Sequence, residues 1–192
     1  MVYTTTLTQT SPSFKIPNLA QLLTEKATIT VSNAKCIAST FSGSHIAVGS
    51  DTGVDVYNEA THLTINESSV SSISLSDNAN VVAFSGQSGV RVFAGDQQRG
   101  SVFANGSAVT LSSDGNKICF YTGTHIKVSD WDGSAWTTIE IAEVENVDVL
   151  SMNKTGTMIV AGVPSFDDGV RSSLGKTFIY AHNGSSWVQR GQ

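Results

Sequence analysis

The chain repeats itself, and that constrains its fold more than any other feature. The segments Ile73-Ser-Leu-Ser-Asp-Asn-Ala-Asn-Val-Val-Ala-Phe84, Val109-Thr-Leu-Ser-Ser-Asp-Gly-Asn-Lys-Ile-Cys-Phe120 and Leu150-Ser-Met-Asn-Lys-Thr-Gly-Thr-Met-Ile-Val-Ala161 superimpose. Leu75, Leu111 and Met152 fall at matching points, 36 and 41 residues apart. A looser copy, Ile37–Val48, precedes them. With Phe41 at the matching point, its turn is expected to be about two residues tighter.

Each copy reads as a hairpin. An alternating strand runs into a cluster of Ser, Asp, Asn and Gly, residues that accept turn conformations which β-branched residues avoid, and a second apolar strand follows. Third strands are expected at 54–57, 90–93, 126–129 and 177–180, and fourth strands at 61–65, 101–103, 136–141 and 187–189. Four short strands per unit of about 40 residues predict an all-β fold: a β-propeller-like array of about four four-stranded antiparallel blades. A sheet of that size cannot bury both faces alone, and stacking against its neighbours solves this. A β-sandwich or solenoid with fortuitous self-similarity is the competing architecture.

The last copy adds Ala161-Gly-Val-Pro164, Asp167-Asp-Gly169, Phe178-Ile-Tyr180 and Asn183-Gly-Ser-Ser-Trp187, and the third adds Trp131-Asp-Gly-Ser-Ala-Trp136. These patterns resemble the WD40-like and FG-GAP-like β-propeller repeats, including those of algal, protist and large DNA virus proteins. The resemblance covers residues 36–192 and implies a propeller repeat domain there. Four blades are few beside the rings usual in those families.

Residues 1–35 do not match a blade and read as an N-terminal arm or cap. Leu19, Leu22 and Leu23, spaced i, i+3, i+4, predict a short helix within 14–26. Strands are expected at 3–8 and 27–32, the second completing a terminal blade. The apolar cluster of Phe14, Ile16, Leu19, Leu22 and Leu23 needs cover, from the chain's own blades or from another protein of an assembly.

Charge excludes several function classes. Eleven Lys and Arg against 16 Asp and Glu give a net charge of −5, and only 14% of residues are charged. No basic face is available for nucleic acid or for anionic lipid. No apolar run approaches a membrane span, and the first residues lack a secretory leader, so the location is left unknown. Ser and Thr supply about a quarter of the chain, which suits a rigid particle component better than a charged disordered segment. Cys36 and Cys119 have no metal-type spacing; buried free thiols or a disulfide are open.

Catalytic patterns are not expected. The sequence contains no Gly-x-Ser-x-Gly, His-Glu-x-x-His or P-loop motif. None of His45, His62, His125 and His182 is spaced as a metal ligand. Ser165, Asp167 and Asp168 could offer oxygens to a hard cation, but adjacent acids in a strand point to opposite faces. Asp130 and Asp132 are expected to shape a turn into Gly133. No metal or cofactor is therefore assigned. The four Asn-x-Ser/Thr sequences, at Asn66, Asn105, Asn153 and Asn183, read as products of composition. Trp131, Trp136 and Trp187 form an aromatic rim that could bind a partner or a sugar face, or could seal blade seams. The function expected is a non-enzymatic structural or protein-interaction module, by the family analogy a minor virion or capsid-associated component. A lectin-like carbohydrate-binding propeller is the alternative.

Overall fold

The computed structural model describes residues 3–4, 27–58, 62–171 and 173–191. The expected helix in 14–26 and the apolar cluster from Phe14 to Leu23 lie outside them. Strands β1 (Tyr3–Thr4) and β2 (Ala27–Thr28) pair in parallel as a two-stranded sheet. Ala27–Thr28 therefore does not complete a terminal blade as expected; its partner is Tyr3–Thr4.

Sixteen further strands make four antiparallel four-stranded sheets, each in simple up-and-down order. Blade 1 holds β3 (Cys36–Ser39), β4 (Ile46–Gly49), β5 (Gly53–Tyr57) and β6 (His62–Asn66). Blade 2 holds β7 (Ser72–Leu75), β8 (Val81–Gly86), β9 (Gly89–Ala94) and β10 (Gln97–Gln98). Blade 3 holds β11 (Val109–Leu111), β12 (Lys117–Tyr121), β13 (His125–Trp131) and β14 (Trp136–Glu143). Blade 4 holds β15 (Val149–Met152), β16 (Met158–Val163), β17 (Lys176–His182) and β18 (Trp187–Arg190). No helix among the described residues is long and apolar enough to cross a membrane.

Leu75, Leu111 and Met152 are equivalent, each ending the first strand of its blade and pairing with Val82, Ile118 and Ile159 respectively. In blade 1 the residue in that place is Ser39, paired with Ile46, and not Phe41. Phe41 lies two residues further on, 83% exposed. The expected tighter turn is absent, because all four turns are built alike. The amides of Thr40, Ser76, Ser112 and Asn153 each donate to the carbonyl five residues on, at His45, Val81, Lys117 and Met158. The amides of His45, Val81, Lys117 and Met158 in return donate to the side-chain oxygens of Thr40, Ser76, Ser112 and Asn153, at 2.8–3.2 Å. A short polar side chain at this place substitutes for turn hydrogen bonds, which is why Thr, Ser, Ser and Asn recur there.

The fourth residue of each turn is left-handed: Gly43 (φ 69°), Ala79 (φ 56°), Gly115 (φ 71°) and Gly156 (φ 66°). Only blade 2 puts a side chain there, and an L-residue in that region costs about 1–2 kcal/mol. Ala79→Gly is expected to stabilise the protein by about 0.5–1 kcal/mol once the greater freedom of an unfolded glycine is subtracted. The midpoint of denaturant unfolding measures it, and a lowered midpoint would contradict the strain.

One strand differs from expectation. The fourth strand of blade 2 is not 101–103. A two-residue loop, Gly95-Asp96, returns the chain at once, so Gln97–Gln98 pairs with Ala94 and Phe93. The backbone then bulges at Gly100 (φ 70°) and rejoins β9 through a single Val90–Phe103 bridge. A Cβ at Gly100 would come within 2.7 Å of the Trp136 ring, so glycine lets the bulge lie against the next blade.

The core consists of three seams. Ala47, Val54 and Val56 of blade 1 meet Leu75, Val82, Phe84 and Phe93 of blade 2. Val81, Ala83, Val90 and Val92 on the other side of blade 2 meet Val109, Leu111, Ile118 and Phe120 of blade 3. Cys119, Ile126 and Val128 of blade 3 meet Leu150, Ile159, Ala161 and Tyr180 of blade 4. Alternating side chains send large residues backward and smaller ones forward, so the sheets of blades 2 and 3 are buried on both faces by their neighbours. Four blades with three seams form an open arc among the described residues.

Candidate functional site

The turns between the first two strands of each blade carry the most distinctive surface. The residue after the capping position is Phe41, Asp77, Ser113 and Lys154 in blades 1 to 4. Backbone bonds tie three of these turns together: the Asp77 amide donates to the Ser113 carbonyl (2.8 Å) and the Ser113 amide to the Lys154 carbonyl (2.9 Å). The Ser113 hydroxyl donates to Asp77 Oδ2 at 2.6 Å, and Lys154 Nζ lies 3.2 Å from the same oxygen. Those two contacts, the hydroxyl first, hold the Asp77 carboxyl below the usual carboxylate range. Lys154 Nζ also sits 4.0 Å from the centre of the Phe41 ring, so blade 4 reaches back to blade 1 through a cation–π contact. The result is a fixed cluster with an exposed aromatic ring, a cation and an anion, suited to docking a chain.

The expected rim tryptophans are half-buried and occupy different settings. Trp131 and Trp136 pair across the β13–β14 hairpin with ring centres 5.1 Å apart. Trp136 packs on Phe103, and its Nε1 donates to the Arg99 carbonyl at 2.9 Å, so it seals the seam between blades 2 and 3. A recess of about 320 Å³ opens beside it, lined by Gly100–Phe103 and Ser134–Trp136. The Arg99 guanidinium lies 5.8 Å from the Trp131 ring. Trp187 packs on the core of blades 3 and 4 and meets His182 edge-on.

The acidic candidates are engaged in turns. Asp168 Oδ1 accepts the amides of Val170 and Arg171, and its other oxygen pairs with the Arg171 guanidinium. Asp167 accepts the Gly169 amide at 2.7 Å. Asp132 accepts the amides of Ser134 and Ala135 and shapes the turn at Gly133, while Asp130 pairs with Lys117. Among the described residues no group of three or more His, Cys, Asp and Glu could hold a metal ion. Both cysteines are free. Burial pushes the Cys36 thiol up to about 11, and burial raises Cys119 as well, so neither is a ready nucleophile.

Two features escaped sequence reasoning. Phe41 was masked by its placement in the strand, although a count of five residues from each turn cap to the next strand finds it. The buried Glu67–Arg91 pair joins residues 24 apart with no motif between them.

No protein-family model matches the chain, and no curated protein matches it in sequence. Solved structures do share its fold. The β-propeller domain of Myceliophteria thermophila Cps50 (Swd1) superimposes with a TM-score of 0.60 at 13% identity, over 73% of this chain and 52% of that one. Kuenenia stuttgartiensis hydrazine synthase superimposes with a TM-score of 0.58 at 11% identity, over 81% of this chain and 48% of that one. The chain thus spans about half the length of the structures it matches. Its fold is that of a β-propeller repeat protein.

Proposed function

We propose that this protein is a non-enzymatic interaction module that binds other proteins of an assembly. The observation that carries this reading is where the rigid arc leaves large apolar side chains: Phe41 is 83% exposed on the inner turns and Val170 89% exposed on the β16–β17 loop. Phe41 stands against Lys154, which also pairs with Asp77, so the exposed ring belongs to a mixed apolar and charged surface of the kind that docks a chain. The fold supports the same reading, since repeat arrays present loops from a fixed frame. In this proposal the segment holding Phe14, Ile16, Leu19, Leu22 and Leu23 is the docking arm, and Trp131 adds a half-buried ring beside Arg99. The minor virion or capsid-associated setting belongs to this proposal through the repeat resemblance, and the protein's presence in purified particles tests it.

Deleting residues 1–20 is expected to leave far-ultraviolet circular dichroism and thermal unfolding unchanged while abolishing incorporation into the assembly. A deletion that unfolds the protein would make the segment a structural cap and remove its docking role. The recess beside Trp136 favours the carbohydrate-binding alternative. Glycan-array binding that is lost when Ser101→Trp fills the recess would replace the protein-docking reading.

A further inference from the structure

We infer that a recess between blades 3 and 4, at the opposite end of the strands from the Phe41 cluster, receives a lysine side chain of a partner protein. Up-and-down strand order puts the β14–β15 link and the β16–β17 loop at the strand ends away from the turns that hold Phe41, Asp77, Ser113 and Lys154. Between that link and that loop lies a recess of about 340 Å³. Val144 and Val163, both buried, give it an apolar lining. Phe166 and Phe178 line it as well, set edge-on with ring centres 6.5 Å apart. Three exposed carboxylates complete the lining: Glu143 and Glu145 from the end of blade 3, and Asp167 from the loop of blade 4.

The chain itself shows that this aromatic corner holds an ammonium group. Lys176 Nζ lies 4.5 Å from the centre of the Phe166 ring and 4.8 Å from that of Phe178. Lys176 does not line the recess, so the space beside the rings stays open. The Glu143 and Glu145 carboxylates have no hydrogen-bond or ion-pair partner among the described residues, and Asp167 accepts only the Gly169 amide. Arg171 is taken by Asp168. Three anions against the one ammonium of Lys176 leave the recess negative, and charge complementarity selects a cation. Among the described residues no group of three or more His, Cys, Asp and Glu could hold a metal ion, so a bare cation is not the occupant. An alkylammonium matches the lining: its methylenes pack on the valines and rings while its head reaches the exposed carboxylates. That a protein carries this ammonium rests on the interaction reading above.

The peptide acetyl-Gly-Ser-Lys-Ser-Gly-amide, titrated into the isotope-labelled full chain, is expected to shift the backbone amide resonances of 143–146 and 165–167. The same peptide with acetyl-lysine keeps the stem, lacks the charge and is expected to leave them in place. Glu143→Gln combined with Glu145→Gln is expected to weaken binding at least about tenfold, and Phe166→Leu about three- to fivefold. Asp51→Asn combined with Asp96→Asn makes the same change in net charge away from the recess and is expected to leave binding unchanged. Circular dichroism and thermal unfolding check that each variant remains folded. Peptide binding is also expected to survive deletion of residues 1–20, which separates this recess from the proposed docking arm. Lysine and acetyl-lysine peptides that behave alike, or equal losses in the two double variants, overturn the inference, while loss of incorporation on deleting 1–20 would leave the interaction reading standing.

Discussion

Phe84→Ala is expected to lower the unfolding free energy by about 3–5 kcal/mol. Phe84 is 0% exposed at the centre of the seam between blades 1 and 2. Its ring stacks on Phe93 with centres 5.8 Å apart, and it is paired across the sheet with Ile73 and Arg91. Truncation removes the transfer free energy of the ring and leaves a cavity between two sheets that cannot close without moving apart. In a linear array each blade is held only by its neighbours, so weakening this seam acts chiefly on blade 1. Denaturant titration followed by both circular dichroism and tryptophan fluorescence measures the loss. All three tryptophans lie in blades 3 and 4, so the two signals are expected to separate as blade 1 melts first. A loss below about 1 kcal/mol would mean that the side chain is not enclosed.

Glu67→Gln is expected to cost on the order of 2–3 kcal/mol at neutral pH, with a pH dependence that identifies the cause. The Glu67 side chain is 3% exposed on the link between blades 1 and 2, and the Arg91 side chain is 21% exposed. Arg91 Nη1 donates to Glu67 Oε2 at 2.9 Å, and the amides of Ser68 and Ser88 donate to Oε1 at 3.2 Å each. Burial on its own would push this carboxyl up; the Arg91 and Ser88 hydrogen bonds outweigh it and hold the group below the usual range. A carboxylate with a depressed pKa stabilises the fold above its unfolded value of about 4.3, and that stabilisation is lost as pH falls through the folded value. The stability gap between wild type and Glu67→Gln should therefore be full at neutral pH and shrink below about pH 4. A gap of constant size across that range would show that packing, and not the ionised carboxylate, sets the cost.

The legible part of this protein is what recurs. Because each blade solves the same packing problem, the demands for a capped turn, a small forward residue and a large backward one appear three or four times. Repetition separates them from chance. Leu75, Leu111 and Met152 could be aligned for that reason, as could the third strands. The first copy was misaligned because its first strand ends in Ser39, where the others have a large apolar residue. The apolar signal then slid two positions to Phe41, which the structure leaves in water. The fourth strand of blade 2 was misplaced for a related reason: Gly95-Asp96 is a two-residue loop too short to interrupt a hydrophobic pattern, and the bulge at Gly100 lies against Trp136 of the next blade, a contact no local pattern reveals.

The candidate surfaces divide in the same way. The amino-acid order shows four repeats, turns rich in Ser, Asp, Asn and Gly, and no metal-type spacing, whereas the capping by Thr40, Ser76, Ser112 and Asn153 emerged only from the folded turns. The meeting of Phe41, Asp77, Ser113 and Lys154 was decided by tertiary structure, since the four come from separate repeats and touch only when successive turns curve toward one another. The same holds for the pairing of Glu67 with Arg91. Openness of the array was also decided there. Val160 and Ile179 have the same apolar character as the residues buried at equivalent places in blades 1 to 3. Side-chain pattern sets which face of a strand is apolar, but cover depends on a neighbour, and the number of seams is a property of how the blades are arranged in space.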